Sequence, residues 1–326
     1  MDTLDAMDRP TLGDADGRGK GRGKGLSFYR AYGLAIGSEL QLPEFPPADR
    51  GGDLVIRRGR IVLDPGRESE RSFPHYEIRA RDLLIEYGGI ATFAVREGRR
   101  VTVDPVEGTE PSLVRLYLTG PVLAAALYQR GLIVLHGSTI RFEGHAAGFL
   151  GGQGWGKSTT AAMLHQRGHT LLTDDVMAIE AECDPPLVRP GFPQLKLWPD
   201  SLARVGTDPA SLPRLVAGLD KRAHRLQGDF ETGATPIRRL YILADGEVPA
   251  IEPLSPRESA FELIRHSYFA ERLAIFRGFE NNLRLCTALA EKTSVRRLRR
   301  PRALGELDRL ASIIERDLSA CAAASA

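Results

Sequence analysis

The stretch GGQGWGKS, at residues 151–158, matches the pattern G-x-x-x-x-G-K-[ST]. It follows the apolar run AAGFL, at residues 146–150, which predicts a strand, and it leads into KSTTAAMLHQR, at residues 157–167, which predicts a helix. A strand, a glycine-rich turn and a helix in this order are typical of a loop that binds nucleotide phosphates. A purely structural turn is the alternative, and the flanking strand and helix favour phosphate binding.

The residue types of this loop predict its chemistry. Glycines let the main chain curl so closely that several backbone N–H groups converge on a phosphate. We expect Lys157 to contact the β and γ phosphates and the Ser158 hydroxyl to ligate Mg²⁺. Trp155 either shields the nucleotide or simply packs. The predicted cofactors are thus ATP and Mg²⁺, and the predicted cofactor contacts are Gly151, Gly152, Gln153, Gly154, Trp155, Gly156, Lys157, Ser158 and Thr159.

An acidic pair follows the loop. HTLLT, at residues 169–173, predicts a short buried strand that delivers Asp174 and Asp175 at its carboxyl end, where the sites of α/β proteins lie. One carboxylate can hold a metal ion while the other accepts a proton from a hydroxyl of the substrate. Two aspartates on a surface turn are the alternative interpretation.

A histidine precedes the loop. His136 lies in the apolar run LIVLHGSTI, at residues 132–140, and is followed by Gly137. A lone histidine in an apolar strand is often a core residue whose hydrogen bonds are satisfied. Its position near the loop supports a second hypothesis, in which His136 orients Asp174. We therefore predict Asp174, His136 and Lys157 as the catalytic residues.

Phosphoryl transfer places negative charge on three oxygens, so a cation beyond Lys157 is expected. Lys196, Lys221 and Arg222 are the candidates for phosphate or substrate contacts, and solvated side chains are the alternative for each. A basic run near the carboxyl end, VRRLRRPR at residues 295–302, lacks interleaved aromatic residues. We interpret it as a docking surface for an acidic peptide rather than for nucleic acid.

Length and composition limit the class of protein. The chain has 326 residues, enough for about two domains, with 42% hydrophobic and 26% charged residues and a formal net charge of +2. This charge creates no overall field for nucleic acid. Three widely spaced cysteines favour a reducing compartment, and no run reaches the roughly 18 apolar residues of a membrane span. We predict a cytoplasmic protein without nucleic-acid or membrane partners.

The pattern along the chain predicts an α/β protein. Residues 1–25, rich in glycine and charge, predict a disordered tail. Period-two apolar patterns predict a small β-rich N-terminal domain at residues 26–111, and helix and strand patterns predict a catalytic domain at residues 112–316. Pro121 predicts a kink or break in the first helix of that domain. Residues 317–326 are predicted to form a second tail.

Three segments together resemble the catalytic domain of HPr kinase/phosphorylase: LHGSTI at residues 135–140, the glycine-rich loop, and RGHTLLTDDV at residues 167–176. The order and spacing of these segments match that family. The resemblance implies a P-loop kinase domain of the type shared by HPr kinase and phosphoenolpyruvate carboxykinase. It also implies transfer of phosphate from ATP, with Mg²⁺, to a serine hydroxyl. Carried over, it makes Asp174 the base and Asp175 a metal ligand.

Weaker motifs outside that stretch resemble the HPr-kinase-like proteins of ribosomal peptide biosynthesis, including lasso peptide tailoring kinases. They are FYRAYGLAIGSELQLPEF at residues 28–45, RPGFPQLKLWPDSL at 189–202, DKRAHRL at 220–226 and VRRLRRPRAL at 295–304. This resemblance implies a short lasso-type peptide as the phosphate acceptor. The alternatives are a small HPr-type carrier protein, a nucleotide-binding regulatory module without transfer, and a small-molecule kinase or carboxykinase. The oligomeric state is left open.

Overall fold

The computed structural model describes residues 25–63, 74–79, 81–228, 230, 232–272 and 279–323. Within these ranges the chain is a mixed α/β protein with three β-sheets. The predicted disordered tail at residues 1–25 lies, apart from Gly25, outside the described residues. Among the described helices, none has the length and the apolar character needed to cross a bilayer.

The first sheet follows from the period-two pattern of the N-terminal third, because alternate side chains of a strand point to opposite faces. In Ala91–Arg96, for example, every second side chain is buried. The strands are β1 (Ser27–Ala31), β2 (Leu34–Ser38), β3 (Leu54–Arg58), β4 (His75–Arg79), β5 (Asp82–Tyr87), β6 (Ala91–Arg96) and β7 (Arg100–Pro105). Their spatial order is β1-β2-β3-β7-β6-β5-β4, with β3 parallel to both neighbours and the other pairs antiparallel.

A continuous helical segment leads from this sheet to the rest of the chain. It consists of α1 (Pro111–Tyr117), a π-helical turn (Leu118–Val122) and α2 (Leu123–Gln129). Proline lacks a backbone N–H, and the wider turn accommodates Pro121, so that of the predicted kink or break no break occurs. The turn brings Gly120 close to Asp175, because a Cβ at Gly120 would lie 3.7 Å from Asp175 Oδ2.

The second sheet carries the glycine-rich loop. Its strands are β8 (Ile133–Phe142), β9 (His145–Leu150), β10 (Thr170–Thr173), β11 (Val176–Glu180), β12 (Leu187–Arg189), β16 (Thr235–Asp245), β17 (Ala250–Pro253) and β18 (Ser294–Arg300). Strand β16 runs parallel to both β9 and β18. The spatial order is β10-β8-β11-β12-β16-β18-β17, with β9 pairing both β8 and β16.

The long strand β8 pairs with two short strands in succession. Thr139 of β8 lies opposite Thr173 of β10, whereas His136 of β8 lies opposite Val176 of β11. The two residues between these short strands, Asp174 and Asp175, therefore interrupt the pairing along β8. The interruption places both carboxylates beside the middle of β8.

A small third sheet, five α-helices and three short 3₁₀ turns, at Pro209–Ser211, Ala270–Arg272 and Leu304–Glu306, complete the described elements. The sheet has the order β13-β15-β14, with β13 at Gln194–Leu197, β14 at Arg214–Val216 and β15 at Leu219–Arg225. The helices are α3 (Lys157–Gln166), α4 (Pro199–Arg204), α5 (Pro256–Arg265), α6 (Phe279–Lys292) and α7 (Leu307–Ala323). Helix α7 continues through the boundary at residue 317 where the sequence predicts a tail, because Leu318 packs in the core.

One hydrophobic core joins the first sheet to the second. It includes Ile36 and Phe93 of the first sheet together with Val134 and Val176 of the second. Tyr32, in the turn between β1 and β2, donates its hydroxyl to the Val176 carbonyl oxygen at 3.2 Å and lies 3.4 Å from Thr173 Oγ1. The core therefore crosses the predicted domain boundary at residue 111, and the first sheet supports the strands on either side of the acidic pair.

A buried ionic network holds α7 against the second sheet. Asp317 of α7 lies 3.1 Å from Arg239 Nε and 3.2 Å from Arg296 Nη1, and it accepts a hydrogen bond from the Tyr241 hydroxyl at 2.7 Å. The Arg239 side chain is only 3% exposed. Because Asp317 provides the carboxylate for both guanidinium groups, its removal leaves buried positive charge uncompensated.

We predict that Asp317→Ala lowers the free energy of unfolding by about 3 kcal/mol, measured by urea denaturation. The matched control is Arg309→Ala on the same helix. Arg309 forms an exposed ion pair with Glu306, 3.6 Å long, and its loss is expected to change stability by less than about 0.5 kcal/mol. Equal losses in the two variants would contradict a structural role for the buried network.

Candidate active site

The strand, loop and helix predicted around the glycine-rich motif are confirmed. Strand β9 ends at Leu150, and α3 begins at Lys157 after Gly156, whose φ of 78° is in the left-handed region that favours glycine. The first turn of α3, whose backbone N–H groups have no partner within the helix, borders a pocket beside the loop. The loop residues that line this pocket are Gln153, Gly154, Gly156, Lys157, Ser158 and Thr159.

Lys157 is the first residue of α3, and its side chain contacts the start of the loop. Its Nζ donates to the carbonyl oxygens of Gly151, at 2.8 Å, and Gly152, at 3.0 Å. Burial lowers the pKa of Lys157 to about 8, although the carboxylates of Asp175 and Asp174 oppose this shift. The side chain therefore remains mostly protonated near neutral pH and presents a positive charge to the pocket.

Trp155 packs against the loop and against the hydrophobic core beside it. On one side, a Cβ at Gly152 would lie 2.8 Å from Trp155 Nε1. The Arg302 guanidinium lies 4.3 Å from the centre of the ring. Trp155 is not among the residues that line the pocket. These contacts fit the packing role considered for Trp155, and its contact with the nucleotide stays a prediction.

Asp174 connects three elements through one carboxylate. Its Oδ1 accepts hydrogen bonds from Ser138 Oγ of β8 at 2.6 Å and from Ser158 Oγ of α3 at 2.8 Å. Its Oδ2 accepts from the backbone N–H of Lys196, in β13, at 2.9 Å. Asp174 is only 4% exposed. The carboxylate is thus fixed in position and directly joined to the loop hydroxyl for which metal binding is predicted.

Asp175 has a different set of partners. Its backbone has a φ of 77°, which is rare outside glycine, and its carbonyl oxygen accepts from the Gly137 N–H at 3.3 Å. Its carboxylate lies 3.2 Å from His136 Nδ1 and accepts from Lys196 Nζ at 2.7 Å. Burial raises the pKa of Asp175, but Lys196 and His136 outweigh this effect and hold it at about 2. Asp175 is therefore ionised throughout the neutral range.

His136 contacts Asp175 and not Asp174, so the expected orienting contact with Asp174 is not made. The cause is the strand register, which places His136 opposite Val176, the residue that follows Asp175. Burial lowers the pKa of the imidazole below its ordinary value of 6.5, with Asp175 acting in the opposite direction. The direction of this shift favours the neutral ring near pH 7. When Nδ1–H donates to Asp175, Nε2 is left as a proton acceptor.

The three candidate cations have different surroundings. Lys196 pairs with Asp175, and Lys221 lines the pocket with its Nζ 5.5 Å from the centre of the Trp198 ring. Arg222 forms an ion pair with Asp220 at 3.1 Å and is not among the pocket-lining residues. The pocket is also lined by Arg300 and Arg302, which sequence reasoning interpreted only as part of a basic docking surface.

The donor set of the pocket fits a magnesium ion bound together with phosphates. Among the described residues, no group of three or more His, Cys, Asp or Glu side chains is arranged to hold a metal ion. Magnesium, however, is commonly bound by one or two carboxylates together with substrate phosphates and water. The Asp174 carboxylate would provide one oxygen ligand, and the adjacent Ser158 hydroxyl would provide a second.

Comparisons with known proteins leave the family undecided. No family model matches the chain, and no curated protein matches it. Among solved structures, the chain is similar to the Hpr(Ser) kinase/phosphatase from Coxiella burnetii, with 12% identity and a TM-score of 0.25. The match covers 56% of this chain and 91% of that chain. A TM-score this low does not establish a common fold, so membership of the HPr kinase family stays a prediction.

The charge coupling in the pocket yields a measurable expectation. We predict that Lys196→Met raises the pKa of His136, because the Lys196 ammonium opposes protonation of the imidazole. The measurement is an NMR titration of the His136 ring protons, assigned with a His136→Asn variant. Lys292→Met, which alters a lysine bonded to the carbonyls of Glu182 and Cys183, is the control and leaves the midpoint unchanged. An unchanged or lower midpoint in Lys196→Met would contradict the coupling.

Proposed function

We propose that this chain is an ATP- and Mg²⁺-dependent kinase that transfers the γ-phosphate to a serine hydroxyl. The observation that carries the proposal is the different bonding of two adjacent carboxylates beside the glycine-rich loop. Asp174 is hydrogen-bonded to Ser158, whereas Asp175 is paired with His136 and Lys196. Such an arrangement supports phosphate and metal binding on one side of the pocket and proton acceptance on the other.

The binding side consists of the loop, Lys157, Ser158 and Asp174. In this proposal the backbone N–H groups at the start of α3 and the Lys157 ammonium bind the phosphates of ATP. Asp174 and Ser158 would hold Mg²⁺, which when bound neutralises part of the phosphate charge. Asp174 is suited to this role because its carboxylate is already fixed by three hydrogen bonds.

The contacts favour roles for the acidic pair that differ from those the sequence predicts. Asp174, predicted as the base, is buried and already accepts three hydrogen bonds. Asp175, predicted as a metal ligand, is bonded to Lys196 and His136 instead. With a pKa of about 2, Asp175 is also a weak base near neutral pH. We therefore assign metal binding to Asp174 and place Asp175 on the proton-accepting side.

His136 is the proton acceptor in this proposal. Its neutral ring is 40% exposed, so the hydroxyl of a flexible segment can approach Nε2. As the serine oxygen forms its bond to the γ-phosphorus, the bond from that phosphorus to the bridging oxygen breaks and ADP leaves. The hydroxyl proton passes to His136 Nε2, and the ionised Asp175 stabilises the imidazolium that forms.

The proposed acceptor is a serine of a short ribosomal peptide of the lasso type. The support is the sequence resemblance of residues 28–45, 189–202, 220–226 and 295–304 to kinases of that class. A peptide segment also has the mobility needed to bring one hydroxyl into a pocket formed by strand ends. The acceptor class is tested separately from the transfer reaction.

We predict that label from γ-³²P-ATP is transferred to an acceptor by the wild type, and that Lys157→Ala lowers the rate at least about 100-fold. The reason is the loss of a charge-assisted phosphate contact and of the positioning it gives. Asp174→Asn is expected to abolish Mg²⁺-dependent transfer. Lys292→Ala, at an exposed position on α6, is the control and keeps the wild-type rate. Near-normal transfer by folded Lys157→Ala would refute the role of the loop.

The same assay distinguishes the acceptors. Label is expected on one serine of a short peptide encoded near this gene, and replacement of that serine by alanine removes it. Labelling of HPr without labelling of any peptide would identify a carrier-protein kinase instead. Nucleotide binding without a labelled peptide, protein or metabolite would favour a regulatory binding module.

We predict that the pH profile of kcat/KM has an acidic limb with its midpoint below pH 6.5, because His136 must be neutral to accept a proton. His136→Asn is expected to lose roughly 10²- to 10⁴-fold in rate together with that limb. Asp175→Asn keeps the limb but shifts its midpoint to lower pH, because the carboxylate raises the pKa of His136. A limb that survives in His136→Asn would rule out His136 as the base.

A further inference from the structure

Arg300, at the end of β18, reaches the junction between the glycine-rich loop and α3. Its Nη2 donates to the Trp155 carbonyl oxygen, and its Nη1 donates to the Pro301 carbonyl oxygen at 3.1 Å. A Cβ at Gly156 would lie only 2.7 Å from Arg300 Nη2. The guanidinium group therefore lies against the residue that precedes α3, and it lines the same pocket as Lys157.

The charge of Arg300 is not balanced within the described part of the chain. The residue is only 8% exposed, its Nε has no hydrogen-bond partner, and no carboxylate of the described residues forms an ion pair with it. Burial lowers its pKa, and the nearby Arg302 lowers it further, while Asp245 opposes both effects. A buried cation without a carboxylate partner is costly.

The position of Arg300 makes this imbalance more pronounced. The amino end of a helix carries partial positive charge, so a cation beside it is unfavourable and an anion is favourable. Lys157 adds a second positive charge to the same pocket. Arg302, by contrast, is bonded to both carboxylate oxygens of Asp245, at 2.6 and 2.9 Å. Of the two pocket-lining arginines, only Arg302 forms an ion pair with a carboxylate among the described residues.

We propose that Arg300 is a second phosphate-binding residue, which donates to non-bridging oxygens of the nucleotide's polyphosphate chain alongside Lys157. The inference rests on the proposed function, because it takes a nucleoside triphosphate as the ligand of the pocket. A phosphate supplies the negative charge that both guanidinium and helix end favour, and guanidinium donors match phosphate oxygens better than an ammonium does. Arg300 would thus contact the same ligand as the glycine-rich loop, although it lies in β18, 145 residues after Trp155 in the chain.

The test compares calorimetric affinities for inorganic triphosphate, ATP and AMP. We expect Arg300→Gln to weaken triphosphate and ATP binding about 10- to 100-fold and AMP binding less than about 3-fold. Arg300→Lys, which keeps the charge but not the planar group, is expected to give an intermediate loss for the same two ligands. Arg299→Gln is the matched control, because Arg299 is the adjacent residue of β18 and pairs with Glu252 at 2.8 Å.

The outcomes separate this inference from the proposed function. Failure of the wild type to bind ATP or triphosphate would refute the proposed function itself. Loss of binding in Lys157→Ala with wild-type affinities in both Arg300 variants would refute the role of Arg300 alone. Equal weakening of AMP and triphosphate would identify Arg300 as a support for the loop through Trp155. If Arg300→Gln does not fold, the ligand dependence of Arg300→Lys decides between these results.

Discussion

The carboxylate of Asp174 is the interaction on which the rest of the pocket depends. It accepts hydrogen bonds from β8, from the first turn of α3 and from the backbone of β13. A hydrogen bond to a charged group contributes about 1.5–3 kcal/mol, so three of them fix the relative positions of these elements. Asp174 also lies where pairing along β8 is interrupted. Its three hydrogen bonds fix the backbone at this point, and the next residue, Asp175, lines the pocket.

The pocket separates its charges into two regions. Asp175, Lys196 and His136 form a region in which positive and negative charges balance. Lys157, Arg300 and the amino end of α3 form a second region, in which the positive charge exceeds the negative charge of Asp174. A polyanion is attracted to the second region, whereas a neutral hydroxyl can approach the first without meeting an uncompensated charge. The geometry thus suits a reaction between an anionic donor and a neutral acceptor.

Local sequence patterns predicted the parts of the site that are formed by residues close together in the chain. Glycine spacing identified the loop between β9 and α3, and the apolar runs identified both flanking elements. The partner of His136 could not be predicted, because it depends on the register between β8 and β11. Arg300 was missed for a similar reason, since it meets Trp155 across 145 positions of sequence. In both cases the contact follows from strand pairing that no local pattern specifies.

Tyr32 connects the first sheet to the strands beside the pocket. Its hydroxyl reaches Val176 and Thr173, the residues that flank the acidic pair, from a turn between the first two strands. Every residue that lines the pocket lies beyond residue 135. The strands on either side of Asp174 and Asp175 are nevertheless both contacted by Tyr32 of the first sheet. The first sheet and the strands beside the acidic pair thus share one hydrophobic core. Removal of the N-terminal sheet would therefore expose apolar side chains of the second sheet, Val134 and Val176 among them, and would remove the Tyr32 contacts beside the acidic pair.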